Sequence, residues 1–390
     1  MNIVYCGAFR LPDMDAAAPR VLNNARAIKA CGHAISFISW GGRYRESDIC
    51  QDGKYRIDGM EYVISKEIDF TGNFFSRLKQ LFHRGERTLQ LLNTMQKVPD
   101  AIIMYNADYK WTKTLLKYCC RNKIKLVNDI TEWYDSSDLH FYNRLSYYFN
   151  MTHTQRKVRN KIVISRYLSN CYKGSNNIII PPLCDPSEKK WMGGASECVS
   201  SFDGVTLIYA GNPARKDAVH YVVNAVQRLL EKGSAIRFLI LGVTRESYLS
   251  RYSYMLHTKE LHKNIIFLGR VPQEVIPSFY HQADFMVLLR DQSRKSTAGF
   301  PTKFSESFTS GTPVIANLTS DLRLYLKDGK TGFVVGEPSE DSVYKVLKEK
   351  VLPLNHTDIE KMKSNVKIVA KQFDYHAYVE PLRDFMSKLE

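Results

Sequence analysis

Short apolar runs rich in β-branched residues alternate with stretches of helical periodicity along both halves of the chain, a pattern that few architectures satisfy. In the first half the runs are NIVYC, AISFISW, EYVIS, DAIIMYN, KLVND, KIVIS and NIIIP. In the second they are VTLIYAG, IRFLILG, NIIFLG, DFMVLLR, TPVIA and GFVVG. Between the first two runs Val21, Leu22, Ala25 and Ile28 recur at helical spacing, and Cys31-Gly32-His33 ends that helix. Runs such as AIIMY are apolar without alternation, as expected when helices cover both faces of a parallel sheet. The expected fold is therefore α/β: two Rossmann-like domains with parallel sheets facing across a cleft. Residues 186–204 are polar, aperiodic and carry paired glycines, so they read as a linker. The domains then span 1–185 and 205–371, with a helix over 372–390 crossing back to the first. The 390 residues suit two domains of ordinary size.

Composition removes several classes. At 44% hydrophobic and 24% charged residues the chain is neither disordered nor a disulfide scaffold, and its eight cysteines show no CxxC spacing. No apolar run approaches the ~20 residues of a membrane span, and the N-terminus has no basic region followed by an apolar stretch. The net charge of +15 is uneven, because residues 1–185 hold 27 bases against 17 acids. The segment from Lys110 to Lys125 has six bases and no acid; that from Leu139 to Cys184 has seven and again none. Such a field attracts nucleic acid, anionic membrane or anionic metabolites, and charge alone does not choose among them.

In parallel sheets ligands bind beyond the carboxyl ends of the strands, so the residues that follow each strand are the candidates. The loop after NIVYC begins at Gly7 and lacks GxGxxG, and no GxxxxGK[ST] occurs, which argues against nicotinamide enzymes and P-loop NTPases. Asp13 and Asp15 spell DxD, open either to a divalent metal or to a helix dipole. Asp129, Glu132 and Asp135, with Trp133 among them, follow KLVN; they are expected to hold sugar hydroxyls or supply a general base, the other reading being a capped helix start with a core tryptophan. In the second half VTLIYAG leads into Asn212 to Asp217, where Arg215 and Lys216 sit at a helix start suited to an anion. DFMVLLR leads to Gly299-Phe300-Pro301-Thr302, from which Thr302 is expected to cap a helix carrying Lys303 and Glu306. An i,i+3 Lys303–Glu306 pair is the simpler reading of those two charges.

The segment AGFPTKFSESFTSGTPVIA, with DGKTGFVV downstream, resembles the nucleotide-binding core of the family 4 glycosyltransferases, which have the GT-B fold. The likeness extends through YAGNPARKD, NIIFLGRVPQEVIPSFYHQADFMVLL and IVISRYLSNCYKGSNNIIIPPLCD. It implies that Lys216 contacts a donor diphosphate and Glu306 a nucleotide ribose; Lys303, beside the helix start, is expected to join Lys216 on the diphosphate. Asn212 stands where that family has arginine, so Arg215, Arg290 or Arg294 would substitute. The first family glutamate falls at Ala298. Asp129 and Glu132 become the catalytic candidates, Thr302 joins the phosphate site, and Gly7, Asn212, Gly299, Phe300 and Pro301 form the loops around the donor.

The function expected from the resemblance is a retaining, metal-independent glycosyltransferase that uses no cofactor beyond a nucleotide sugar. Its partner would be a glycan or lipid-linked oligosaccharide acceptor, in cell-surface polysaccharide synthesis, with no nucleic acid. A catalytically silent GT-B subunit is the alternative. Phe74, Phe75, Leu78, Leu81 and Phe82 recur at helical spacing among Arg77, Lys79, Arg84 and Arg87, which suits an anionic bilayer. The expected location is therefore cytoplasmic, peripheral on the inner face of the plasma membrane, with Phe74, Phe75, Arg77 and Lys79 in contact.

Overall fold

The structure, a computed structural model, describes residues 1–67, 83–191, 200–213 and 217–390. The chain folds into two compact units, Met1–Cys184 with Tyr375–Glu390, and Asp185–Asp374.

Among the described residues the first unit holds eight strands: β1 (Asn2–Leu11), β2 (Ala34–Gly42), β3 (Arg56–Ile57), β4 (Met60–Ile64), β5 (Ala101–Tyr105), β6 (Lys125–Ile130), β7 (Asn160–Val163) and β8 (Asn176–Ile179). They lie in the order β3-β4-β2-β1-β5-β6-β7-β8, all parallel except the short β3, which pairs antiparallel with β4. Helices α1 (Ala17–Ala30), α2 (Glu86–Thr94), α3 (Tyr109–Asn122), α4 (Phe141–Phe149) and α5 (Arg166–Cys171) connect them. Successive side chains of a strand point to opposite faces. Ile3 and Tyr5 accordingly join one apolar cluster with Val21, Ala25 and Ile28 of α1, and Val4 and Cys6 join another with Trp111, Leu115 and Cys119 of α3. This two-sided burial is why the central strands read as continuous apolar runs. Gly7 sits at φ +138°, where a Cβ would lie 2.6 Å from the Tyr105 carbonyl, so only glycine lets β1 approach β5 there.

Among its described residues the second unit has six parallel strands: β9 (Val205–Ala210), β10 (Ile236–Leu241), β11 (Ile265–Gly269), β12 (Phe285–Leu288), β13 (Val314–Asn317) and β14 (Gly332–Val335), in the order β11-β10-β9-β12-β13-β14. Its helices include α6 (Val219–Leu230), α7 (Arg245–Tyr252), α8 (Ile276–Gln282), α9 (Arg294–Ala298), α10 (Thr302–Thr309), α11 (Glu340–Val346) and α12 (His356–Ala370). The chain runs outward from β9 through β10 to β11, then returns to the other side of β9 as β12. The β9/β12 edge is thus the topological switch point, where ligands of such sheets bind. The final helix, α13 (Val379–Ser387), belongs to the first unit and packs Leu382, Phe385 and Met386 into the cluster around Ile3 and Tyr5.

Candidate functional site

At the carboxyl end of β9, Gly211 has φ +141°, and a Cβ there would stand 2.5 Å from Lys303 Cε. The missing side chain is the space through which Lys303, second residue of α10, reaches back across the switch point. Its Nζ donates to Asp217 Oδ2 at 2.7 Å and to the Tyr209 hydroxyl at 2.8 Å, and lies 4.4 Å from the Tyr209 ring centroid. From the end of β12, Arg290 brings Nε to 3.3 Å from Asp217 Oδ1, a contact that is an ion pair without hydrogen-bond geometry. The backbone of Arg290 is fixed by Asn317 of β13: Oδ1 accepts from its N–H and Nδ2 donates to its carbonyl, both at 2.8 Å.

Asp217 is therefore a buried acid between two cations, and its side chain is 1% exposed. Burial alone would raise its carboxyl; Lys303 and Arg290 overcome that and hold it at about 2. Burial and the neighbouring Asp217 push the Tyr209 phenol far above its usual range. One acid against two cations leaves a positive excess at the carboxyl ends of β9 and β12. The start of α10 reinforces it. Pro301 occupies the cap position without a side-chain bond, so Thr302 is the first helical residue and not the expected cap. Its hydroxyl cannot satisfy the helix start from inside the first turn, which leaves uncapped N–H groups and the positive end of the dipole beside Lys303.

Glu306, one turn further along α10, is half-buried and, among the described residues, its carboxylate has no hydrogen-bond partner. Burial raises its carboxyl above the ordinary range, against the pull of Lys190 and Lys303. The expected Lys303–Glu306 pair is not what organises this turn, because the Lys303 ammonium is committed to Asp217. Gly299, Phe300 and Pro301 are buried, Phe300 packing on Phe304 and Tyr325 at centroid distances of 6.0 and 5.8 Å. They shape the turn into α10 and present no side chain to a ligand. Asn212 and Arg294 are exposed, Arg294 opening the short helix α9, which Ser293 caps. Ala298 is fully buried. Arg215 and Lys216, like Phe74, Phe75, Arg77 and Lys79, lie outside the described residues. A cavity of about 620 Å³ that includes Arg237, Asp284 and Thr206 lies at the amino ends of β9, β10 and β12, away from this cluster.

In the first unit the structure corrects the reading of Asp129. It does not open beyond β6 but lies within it, 0% exposed. Arg20 binds it with Nη2 to Oδ1 at 2.7 Å and Nε to Oδ2 at 3.1 Å, and the Tyr5 hydroxyl donates to Oδ2 at 2.5 Å. An acid inside the buried stretch of a strand must be paired, and this one is, so it cannot take a proton from a substrate hydroxyl. Glu132 is half-buried and accepts from the Tyr134 hydroxyl; it remains placed just past the strand end. Trp133 is core, stacked on Tyr172 at 6.0 Å. Gly7 serves the β1–β5 contact and not a loop. Asp13 pairs with Arg43 at 2.9 Å, while Asp15 accepts from Arg10 and from the N–H groups of Ala17 and Ala18 at the start of α1. Both DxD acids are thus spent on local bonds. Sequence reasoning missed Asp217, Tyr209 and Asn317 as organisers of the site. A carboxylate six residues past a strand that ends in Ala-Gly was the available signal for the first.

Residues 202–367 match the model of the family described as Glycosyl transferases group 1. A search of curated proteins finds no match. Among solved structures the chain is similar to sucrose-phosphate synthase from Thermosynechococcus elongatus, at 13% identity and TM-score 0.75, covering 99% of this chain and 98% of that one. It is also similar to HepE of Anabaena in complex with UDP-glucose (13%, 0.68, all of both chains) and to WaaG, a glycosyltransferase involved in lipopolysaccharide biosynthesis (13%, 0.67, 99% and 100%). At such identities these likenesses establish the fold. The match to the group 1 glycosyltransferase model spans residues 202–367, which include the switch-point cluster, and the two parallel-sheet units have the GT-B fold.

Proposed function

We propose that the protein transfers a sugar from a nucleoside diphosphate sugar to a glycan acceptor that is lipid-linked, with retention and without a metal. One observation carries the reading: Lys303, Arg290 and the uncapped start of α10 converge on the switch point of a glycosyltransferase-family sheet, where a diphosphate would meet charge on three sides. As the bond from the sugar to the diphosphate breaks, the departing oxygen gains negative charge, and a preformed cationic site stabilises it without reorganisation. This is the role a divalent metal would otherwise fill. Glu306, half-buried and not held by another described residue, would accept from the two ribose hydroxyls, and Arg215 and Lys216 would complete the diphosphate contacts. Glu132 remains the carboxylate proposed at the acceptor side. The uridine nucleotide is the first donor to test, since HepE is described with UDP-glucose and trehalose-6-phosphate of E. coli with UDP-2-fluoro glucose. The acceptor belongs to cell-surface polysaccharide synthesis on the cytoplasmic face.

A second reading, a catalytically silent subunit that binds glycan or a partner enzyme, draws on Ala298, a buried methyl where the resembled family has an acid. Incubation with UDP- and GDP-sugars in EDTA separates them. Release of nucleoside diphosphate, accelerated by acceptor, supports transfer; tight nucleotide binding without turnover against any acceptor supports the silent subunit.

A further inference from the structure

Helix α4 presents Leu145, Tyr148 and Phe149 to solvent, 82%, 61% and 47% exposed. Their spacing of three and four residues puts them on one helical face. Isolated exposed apolar residues are ordinary, but three that share a face mark a surface built to be covered. The helix is held to its unit from other positions: the Tyr147 hydroxyl accepts from the Tyr134 N–H at 2.9 Å, and Asn150, just past its end, donates to the Ala107 carbonyl at 2.9 Å. Phe149 is fixed in its outward pose, stacked on His153 at 4.6 Å and against the edge of Tyr109 at 5.6 Å.

The surroundings decide what covers it. Arg144, Arg156, Lys157 and Arg159 are exposed, and from Leu139 to Cys184 there is no acidic residue. Lys113 of α3, also exposed, holds its Nζ 5.8 Å from the Tyr109 ring that Phe149 packs against. A second copy docking face to face by the same patch would bring these like charges together. A surface that is anionic outside and hydrocarbon beneath satisfies the aromatic–aliphatic face and its basic rim at once. We propose that α4 docks the first unit on an anionic lipid bilayer, with Leu145 and Tyr148 at the acyl boundary and the basic rim on the headgroups. This deepens the proposal of a lipid-linked acceptor, yet it stands apart from the donor chemistry and is tested without nucleotide.

The full-length protein is sedimented with phosphatidylglycerol vesicles and with phosphatidylcholine vesicles at low salt. The expected result is binding to the former only, falling at least tenfold between about 0.05 and 0.5 M salt as the headgroup attraction is screened. Leu145→Glu with Tyr148→Glu, both on side chains with little packing to lose, should lower partitioning at least tenfold with melting unchanged. In a separate single variant, Leu145→Trp, the emission of the introduced indole should shift to the blue when anionic vesicles are added, which reads insertion at that position even if the double variant folds poorly. Wild-type protein that stays in the supernatant overturns the proposal. So does vesicle binding that the double variant retains, with no blue shift in the Leu145→Trp protein, which would place the contact on another surface. Self-association abolished by the double variant, with no lipid binding, would assign the face to a second copy instead. Donor hydrolysis measured in the same preparations tells this failure from failure of the transferase reading.

Discussion

Replacing Asp217 by Asn tests the centre of the proposed donor site. Asp217 is 1% exposed and lies 2.7 Å from Lys303 Nζ and 3.3 Å from Arg290 Nε. Removing one member of a buried charge set while leaving its partners costs about 3–5 kcal/mol. For a unit of this size, at roughly 2–4 °C per kcal/mol, melting of the second unit should drop by about 10 °C. The same excess of positive charge should make the variant respond more strongly to an anion that fills the vacated role. At one fixed pyrophosphate concentration the stabilisation grows with affinity, reaching about 2.7 kcal/mol at ~100 times Kd, so the rise in melting temperature should be larger in Asp217→Asn, whose cations lack their acid, than in wild type. The pH dependence has a definite sign. The folded carboxyl, at about 2, lies below its ordinary 3.8, so its contribution is complete above the ordinary value and lost as pH falls through the folded one. Wild type and variant should therefore converge in stability in strong acid, separate as pH rises from about 2 to about 4, and stay a constant amount apart above that. A variant that melts with wild type at neutral pH would show that Lys303 and Arg290 do not depend on Asp217. A destabilised variant that gains nothing extra from pyrophosphate would refute the anion site itself.

Other expectations follow from the same geometry. Lys303→Gln should weaken nucleoside diphosphate binding tenfold or more, since a charge-assisted bond contributes about 1.5–3 kcal/mol, and calorimetry checks it. Glu306→Gln should weaken UDP while leaving pyrophosphate affinity unchanged. Because burial raises the Glu306 carboxyl, the wild type should also lose stability relative to this variant as pH rises from acid to neutral, which melting curves at about pH 4 and 8 would show. Gly211→Ala should displace Lys303 through the 2.5 Å clash and reduce donor affinity at least as much as stability, read by binding and melting on the same sample. Asp129→Asn should behave as a folding defect of about 3–5 kcal/mol, with kcat per folded molecule unchanged; a preserved melting temperature with lost turnover would reverse that assignment.

Most strands announced themselves because each, covered by helices on both faces, had to be apolar throughout. The exception, Arg56–Ile57, is two residues long and gains its strand character only by pairing with Met60–Glu61 across a turn. The same logic, carried further, accounts for Asp129. KLVNDI is buried from Leu126 to Ile130, so the acid lies inside the run and had to find a cation; that cation, Arg20, is 109 residues away and no local pattern points to it. Lys303 shows the converse. Its spacing to Glu306 suggests a neighbourly pair, but the backbone of Gly211 opens a longer path to Asp217, a contact set by strand order. Helix α10 was legible from Gly-Phe-Pro-Thr, whereas its cap was not, since Pro301 ends the turn one residue before the expected threonine.

The first unit draws its residues from both ends of the chain, while the second is continuous, and this sets an order of events during synthesis. Leu382, Phe385 and Met386 complete the core around Ile3, Tyr5 and α1, but they are made only after all of the second unit. At ~5–20 residues per second the roughly 190 intervening residues hold that core open for about 10–40 s, with apolar surface of α1 exposed to whatever is nearby. The nascent first unit should therefore aggregate more readily than the second, and a nonsense mutation near residue 375 should yield a chain whose second unit is whole yet which aggregates through its first.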